Sequence, residues 1–139
     1  MARALKLEPN YNLASGYIDP IPDWAVGYVN ITSREKIFLG YPGNLFKADK
    51  GITREEIIAV LTRAFKLTLD NKSLELPFTD KESVGAWAQE SVKSGFEDKV
   101  IVGYPDNTYK PNNNITRAEA FTIVCKLLGY HNIHMNKVQ

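Results

Sequence analysis

The second half of the chain carries two stretches in which apolar residues recur at the helical period. Val84, Trp87, Ala88, Ser91 and Val92 fall on one face, which predicts a helix with Thr79 or Asp80 as its cap and Gly95 as its end. Val100-Ile101-Val102 then reads as a short extended segment leading into Tyr104-Pro105-Asp106-Asn107, where proline suits the second position of a β-turn. The second periodic stretch opens at Thr116, turns Phe121, Val124, Leu127 and Leu128 toward a core, and has a stop signal in Gly129. In the first half Tyr41-Pro42-Gly43-Asn44 is the corresponding turn, and Ile58, Leu61 and Phe65 form the corresponding apolar face. Each half thus reads as helix, turn-rich loop, helix, and the expected fold class is mainly α.

The two halves are copies. Shifting the chain by 63 residues aligns 24–67 with 87–130 without a gap, and 13 of the 44 pairs are identical, too many for unrelated segments. The identities include Trp24-Ala25 with Trp87-Ala88, Gly40-Tyr41-Pro42 with Gly103-Tyr104-Pro105, Ile52-Thr53-Arg54 with Ile115-Thr116-Arg117, and Glu56 with Glu119. A third, partial copy opens the chain, where Ala2-Arg3-Ala4-Leu5-Lys6-Leu7 reads like Thr62-Arg63-Ala64-Phe65-Lys66-Leu67 at an offset of 60. The expected organisation is the end of a preceding repeat at 1–8, repeats at 16–67 and 77–130, and a tail at 131–139.

Thr53 with Glu56, and Thr116 with Glu119, have the spacing of a capping box. The hydroxyl accepts the backbone N–H three residues on, and the carboxylate reaches back to the threonine N–H. These four residues are therefore expected to be structural caps. The box leaves Arg54 and Arg117 unexplained: each stands at the first helical position, where the helix dipole opposes a cation by roughly 0.3–1 kcal/mol. A guanidinium beside free N–H groups makes a carboxylate receptor, with a surface ion pair as the plain alternative.

These residues resemble the S-layer homology (SLH) repeat family. Its pattern runs through Phe78-Thr79-Asp80, Trp87-Ala88, Gly103-Tyr104-Pro105-Asp106, Tyr109-Lys110-Pro111 and Ile115-Thr116-Arg117-Ala118-Glu119. The first copy departs from it at Gly43, Ala48 and Glu55, and its opening Tyr17-Ile18-Asp19 stands two residues closer to the tryptophan. The resemblance implies a pseudo-threefold helical prism built from three repeats, with ligand grooves between neighbours. The implied ligand is an acidic secondary cell-wall polysaccharide, often bearing pyruvate ketals. The implied contacts are Arg54 and Arg117, Gly40 and Gly103, Tyr41 and Tyr104, Asp106, and Trp24 and Trp87, with the first copy the weaker. On periodicity alone, both tryptophans read as core residues and the tyrosines as rings packed under their turns.

Composition narrows the alternatives. With 17 basic and 16 acidic residues and no adjacent cations, nothing favours nucleic acid. No apolar run reaches the length of a membrane span, and the first residues lack the apolar centre of a signal peptide, which taken alone reads as a cytosolic protein; the resemblance implies instead a piece of a longer exported protein of the bacterial surface. The single cysteine, Cys125, rules out an internal disulfide and is expected to be buried. The stretch from Asp106 fails as a calcium loop, because alternating oxygen ligands are missing and Arg117 holds the twelfth position. His131 and His134 lack a third ligand and read as part of a loose tail. With no cofactor, metal or nucleophile motif, the expectation is a non-enzymatic anchoring module, the alternative being a spacer or protein-interaction module. The incomplete third repeat is expected to leave apolar surface, drawn from Ile57, Phe65, Ala120 and Leu128, that self-association or a missing repeat would cover.

Overall fold

The computed structural model describes the backbone of residues 2–137 and the side chains of residues 2–129. Four α-helices account for the regular structure among the described residues: α1 (Asp23–Arg34), α2 (Arg54–Phe65), α3 (Gln89–Glu97) and α4 (Arg117–Lys137). A 3-10 turn lies at Lys81–Ser83. No β-strand is present among the described residues; pairing is confined to isolated bridges, Tyr41 with Leu45 and Thr53 with Asn114. The protein is mainly α, as its periodicity predicts.

Contacts group the chain into two compact units, residues 1–50 and 51–139. In the first unit, α1 turns Ala25, Val29, Asn30 and Thr32 inward. The Asn30 amide donates to the carbonyls of Asn10 and Leu13, which fastens the N-terminal segment to the helix. Gly27 permits this approach, since a Cβ there would meet Pro9 at 2.8 Å. At the start of this segment Leu7 N–H donates to the Ala2 carbonyl at 3.0 Å, with Lys6 in the left-handed region. Leu67 donates to Thr62 at 3.0 Å in the same way, beyond a left-handed Lys66 at the end of α2.

The second unit packs α2 against both α3 and α4. Ile58, Leu61, Val92, Val100, Tyr109 and Leu127 are fully buried there. Gly95 lies inside α3 rather than at its end, and a Cβ on it would stand 2.8 Å from the Ile58 side chain. Glycine is therefore what lets α2 and α3 approach so closely. α3 ends about one turn later, at Asp98 and a left-handed Lys99, with Val100 N–H returning to the Gly95 carbonyl.

Each loop is held by a carboxylate. Asp80 accepts the backbone N–H groups of Tyr109 and Lys110, both at 2.8 Å. Asp19 accepts those of Phe46 and Lys47, at 2.7 and 2.6 Å. Tyr109 and Lys110 stand 63 residues after Phe46 and Lys47. The different spacing of the two aspartates to their tryptophans has therefore left their loop partners unchanged. Asp80 makes no side-chain cap, contrary to expectation. Three pairs at the same offset also share positive φ: Lys36 and Lys99, Asn44 and Asn107, Lys47 and Lys110. Conformations that L residues rarely adopt recur only where the surroundings impose them.

Several expected burials are reversed. α3 begins at Gln89, so both Val84, which closes the 3-10 turn, and Trp87, which lies in the turn after Gly85, precede it. In each Trp-Ala pair the alanine points inward and the tryptophan outward: Ala25 and Ala88 are buried, whereas Trp24 is 77% and Trp87 61% exposed. Cys125 is exposed. Gly129 does not end α4, which runs on to Lys137; a glycine inside a helix costs only about 1 kcal/mol. The expected tail is thus helical up to that residue, while the side chains of His131 and His134 lie outside the described residues. Of the faces expected to stay open, Ile57, Phe65, Ala120 and Leu128 are half-buried. The open position is Phe121, 72% exposed, although Ile58, its equivalent in the first copy, is 0% exposed. Ile58 has α3 to pack on.

This contrast is testable by chemical denaturation. Ile58→Ala should lower stability by about 3 kcal/mol, in the range for a buried aliphatic truncation. Phe121→Ala, at the equivalent position, should change it by less than about 0.5 kcal/mol.

Candidate functional site

The start of α2 is enclosed by the second copy's loop. Thr53 and Glu56 form a complete capping box, with Thr53 N–H on the Glu56 carboxylate at 2.8 Å and Glu56 N–H on the Thr53 hydroxyl at 3.2 Å. Arg54 N–H donates to the Asn113 carbonyl at 2.9 Å and Glu55 N–H to that of Pro111 at 3.1 Å. The N–H groups that usually stay free in a first helical turn are therefore engaged. A carboxylate receptor built from free N–H groups is not available at this helix start.

The Arg54 side chain is 6% exposed. Its Nε donates to the Tyr109 carbonyl at 2.8 Å, one terminal nitrogen to Glu119 at 2.9 Å and the other to the Val102 carbonyl at 3.3 Å. The guanidinium carbon stands 4.6 Å from the Tyr104 ring centre and 4.9 Å from that of Tyr109, a cation between two π faces. Tyr109 answers with its hydroxyl, which donates to the Arg54 carbonyl at 3.2 Å, and it stacks on Phe78. Burial pushes the Tyr109 phenol well up, so it stays a neutral donor. The neighbouring Glu55, which replaces the family's alanine, is also buried, and its carboxylate accepts Gly85 N–H at 2.8 Å.

Glu119 joins the two copies. One carboxylate oxygen caps α4 through Thr116 N–H at 2.9 Å, and Glu119 N–H returns to the Thr116 hydroxyl at 3.1 Å. The other accepts Arg54 and, at 2.7 Å, the Tyr104 hydroxyl. The Thr116 N–H, followed by the Tyr104 hydroxyl, holds the Glu119 carboxyl below its ordinary range, and the same hydrogen bond raises the Tyr104 phenol.

A cleft of about 340 Å³ opens over this network. Arg54, Tyr104, Glu119, Thr122 and Lys126 supply its polar groups, and Val100, Ile101 and Ile123 its apolar floor. Gly103 forms one edge; a Cβ there would stand 2.5 Å from the Phe78 ring and 2.9 Å from the Thr108 carbonyl, so the loop admits no side chain. Of the residues singled out in the sequence, Arg54, Gly103, Tyr104 and Glu119 therefore come together. They combine one copy's helix with the other copy's loop and helix.

The rest lie elsewhere. Arg117 is exposed, and among the described residues no hydrogen bond or ion pair holds its side chain. Trp87 is outside the residues lining the cleft. Asp106 accepts the N–H and hydroxyl of Thr108 and pairs with Lys110 at 3.2 Å, so it shapes its turn. In the first unit, a Cβ on Gly40 would meet the Tyr17 ring at 2.3 Å, and Tyr41 takes Lys47 and Lys50 against its ring and Lys50 on its hydroxyl. Trp24 is exposed on α1. Sequence reading missed Lys126, Thr122 and Tyr109. Only the motif position of Tyr109 offered a signal.

The S-layer homology domain model matches residues 18–58 and 77–121, more than half of the chain. The chain belongs to the S-layer homology domain family. Similar proteins include a cellulosome-anchoring protein of Acetivibrio thermocellus, 33% identical over 106 residues that make up 76% of this chain and 23% of that protein. Cell surface glycoprotein 1 of the same organism is 32% identical over 112 residues, 76% of this chain and 5% of the relative. A surface layer protein of Brevibacillus choshinensis is 36% identical over 93 residues, 66% of this chain and 8% of the relative. The SLH chain thus spans a small part of each of these relatives. Among the described residues no helix is long and apolar enough to cross a membrane.

The carboxylates give stability a pH dependence of definite sign. A carboxyl held below its ordinary value, 4.5 for Glu119, stabilises fully above that value, and the contribution is lost as pH falls through the lower, folded pKa. Asp19 and Asp106 act in the same direction, through Phe46 N–H and the Thr108 hydroxyl respectively. Urea midpoints should be flat from neutral pH to about 5 and then fall. Glu119→Gln should lower the midpoint at pH 7 and make the acid fall shallower.

Proposed function

We propose that this SLH chain anchors a larger exported protein to the bacterial cell surface by binding a secondary cell-wall polysaccharide that carries acidic, pyruvate-type substituents. The observation that carries this reading is the cleft over Arg54, Gly103, Tyr104 and Glu119, which joins the two motif copies. Its polar rim and apolar floor suit a sugar with hydroxyls on one side and C–H groups on the other. The exposed Trp24 and Trp87 offer flat faces for further sugar contacts. Arg117 occupies on α4 the place that Arg54 occupies on α2, without a loop over it, and so contributes an accessible cation at a second, one-sided site. The protein should sediment with purified cell walls, and stripping pyruvate from the wall polymer should weaken this; equal binding before and after would remove acid recognition from the reading. Arg117→Ala should weaken wall binding while moving stability by less than about 0.5 kcal/mol.

A second reading concerns the partner. On α2 the positions of Arg54, Glu55, Ile58 and Ala59 are buried against the following copy; on α4 their equivalents Arg117, Ala118, Phe121 and Thr122 are exposed. We take residues 1–8 as the end of one repeat, 16–67 and 77–130 as repeats, and the open face of α4 as the surface that a further repeat or a second copy covers. Without a ligand-binding role, the same face would serve a spacer that acts through self-association. Light scattering at micromolar concentration should give a mass above 15.7 kDa. A monodisperse monomer with Phe121 exposed would rule out self-association of this chain.

A further inference from the structure

We infer that Lys126 is the residue of the cleft that recognises the acidic group of the wall polymer, while Arg54 serves to build the cleft. The inference rests on the carbohydrate-binding reading above and names the group that supplies its charge selectivity.

Three of the cleft's lining residues are charged: Arg54, Glu119 and Lys126. The first two cancel. Arg54 and Glu119 are paired at 2.9 Å, and the remaining Arg54 nitrogens donate to the Tyr109 and Val102 carbonyls. Three of the five Arg54 N–H donors are thereby engaged and its charge is already paired, so a ligand carboxylate there would compete with Glu119 for the same guanidinium. Lys110 also approaches the Tyr104 ring, at 4.5 Å, but it is paired with Asp106. Lys126 is exposed on α4, two turns along the helix from Glu119, and among the described residues no hydrogen bond or ion pair engages it. The cleft therefore has one uncompensated positive charge, beside a floor of Val100, Ile101 and Ile123. That arrangement suits a carboxylate attached to an apolar substituent. An ammonium is a point charge on a flexible stem and can follow such a group without a fixed bidentate geometry. At the equivalent position of the first copy stands Arg63, also a cation.

The test compares two probes: a carboxylate-bearing wall polysaccharide released from bacterial sacculi, and the same polymer after chemical reduction of its carboxyl groups to alcohols. The intact protein and the variants Lys126→Gln and Lys72→Gln are titrated with each. Lys72 is a surface lysine paired with Glu90, outside the cleft, and it controls for general loss of charge. The wild type and Lys72→Gln should prefer the native polymer by about tenfold, the scale of one charge-assisted contact. In Lys126→Gln the ratio should fall toward one with an unchanged melting temperature. A ratio kept near tenfold in Lys126→Gln overturns the inference and leaves carbohydrate binding standing. A wild type that binds both polymers equally overturns acid recognition with it. A wild type that binds neither overturns the binding reading as well.

Discussion

A buried guanidinium must be surrounded by acceptors or it destabilises whatever encloses it. Arg54 meets that condition with groups from three places in the second copy: the Val102 carbonyl before the turn, the Tyr109 carbonyl after it, and the Glu119 carboxylate on α4. Two tyrosine rings close over its faces. None of these partners can move far without leaving a buried charge short of an acceptor. The position of α2 against the loop and against α4 is thereby set by one side chain, and the cleft is the space left over this arrangement.

The loop can take its part because contacts within its own copy shape it. Asp80 gathers two successive N–H groups, Asn107 and Lys110 take left-handed conformations, and Gly103 leaves room for Phe78. The first copy uses Asp19, Asn44, Lys47 and Gly40 against Tyr17 in the same way. This loop is a local device, complete within each copy. The site is not local, since it requires the last helix of one copy and the loop of the next.

This half-step offset between the sequence repeat and the packed unit explains why equivalent residues differ. Ile58 and Phe121 share a place in the repeat, yet one is buried and the other open. Arg54 is held by five groups of the second copy, and Arg117 stands in water. The chemistry of a motif residue in an SLH chain depends on whether another copy lies over it, more than on the motif's own residues.

The periodicity, the 63-residue repeat, the turn residues and the capping boxes were legible in the sequence, because each depends on neighbours within a few residues or on direct comparison of two stretches. The mainly helical fold and the family followed from them. Burial was less legible. A helical period marks one face of a helix as apolar without saying whether another element covers it, which is why Phe121 and Cys125 were misplaced. The Trp-Ala pairs failed for related reasons: in the second copy a period that continued through Gly85 hid the turn that holds Trp87 and Ala88, and in the first Trp24 lies on a face of α1 that stays open while Ala25 faces inward. Arg54's partners lie 48 to 65 residues away along the chain. Only the tertiary structure could decide which cation is consumed in building the cleft and which, at Lys126, is left free, because that depends on where distant acceptors come to rest.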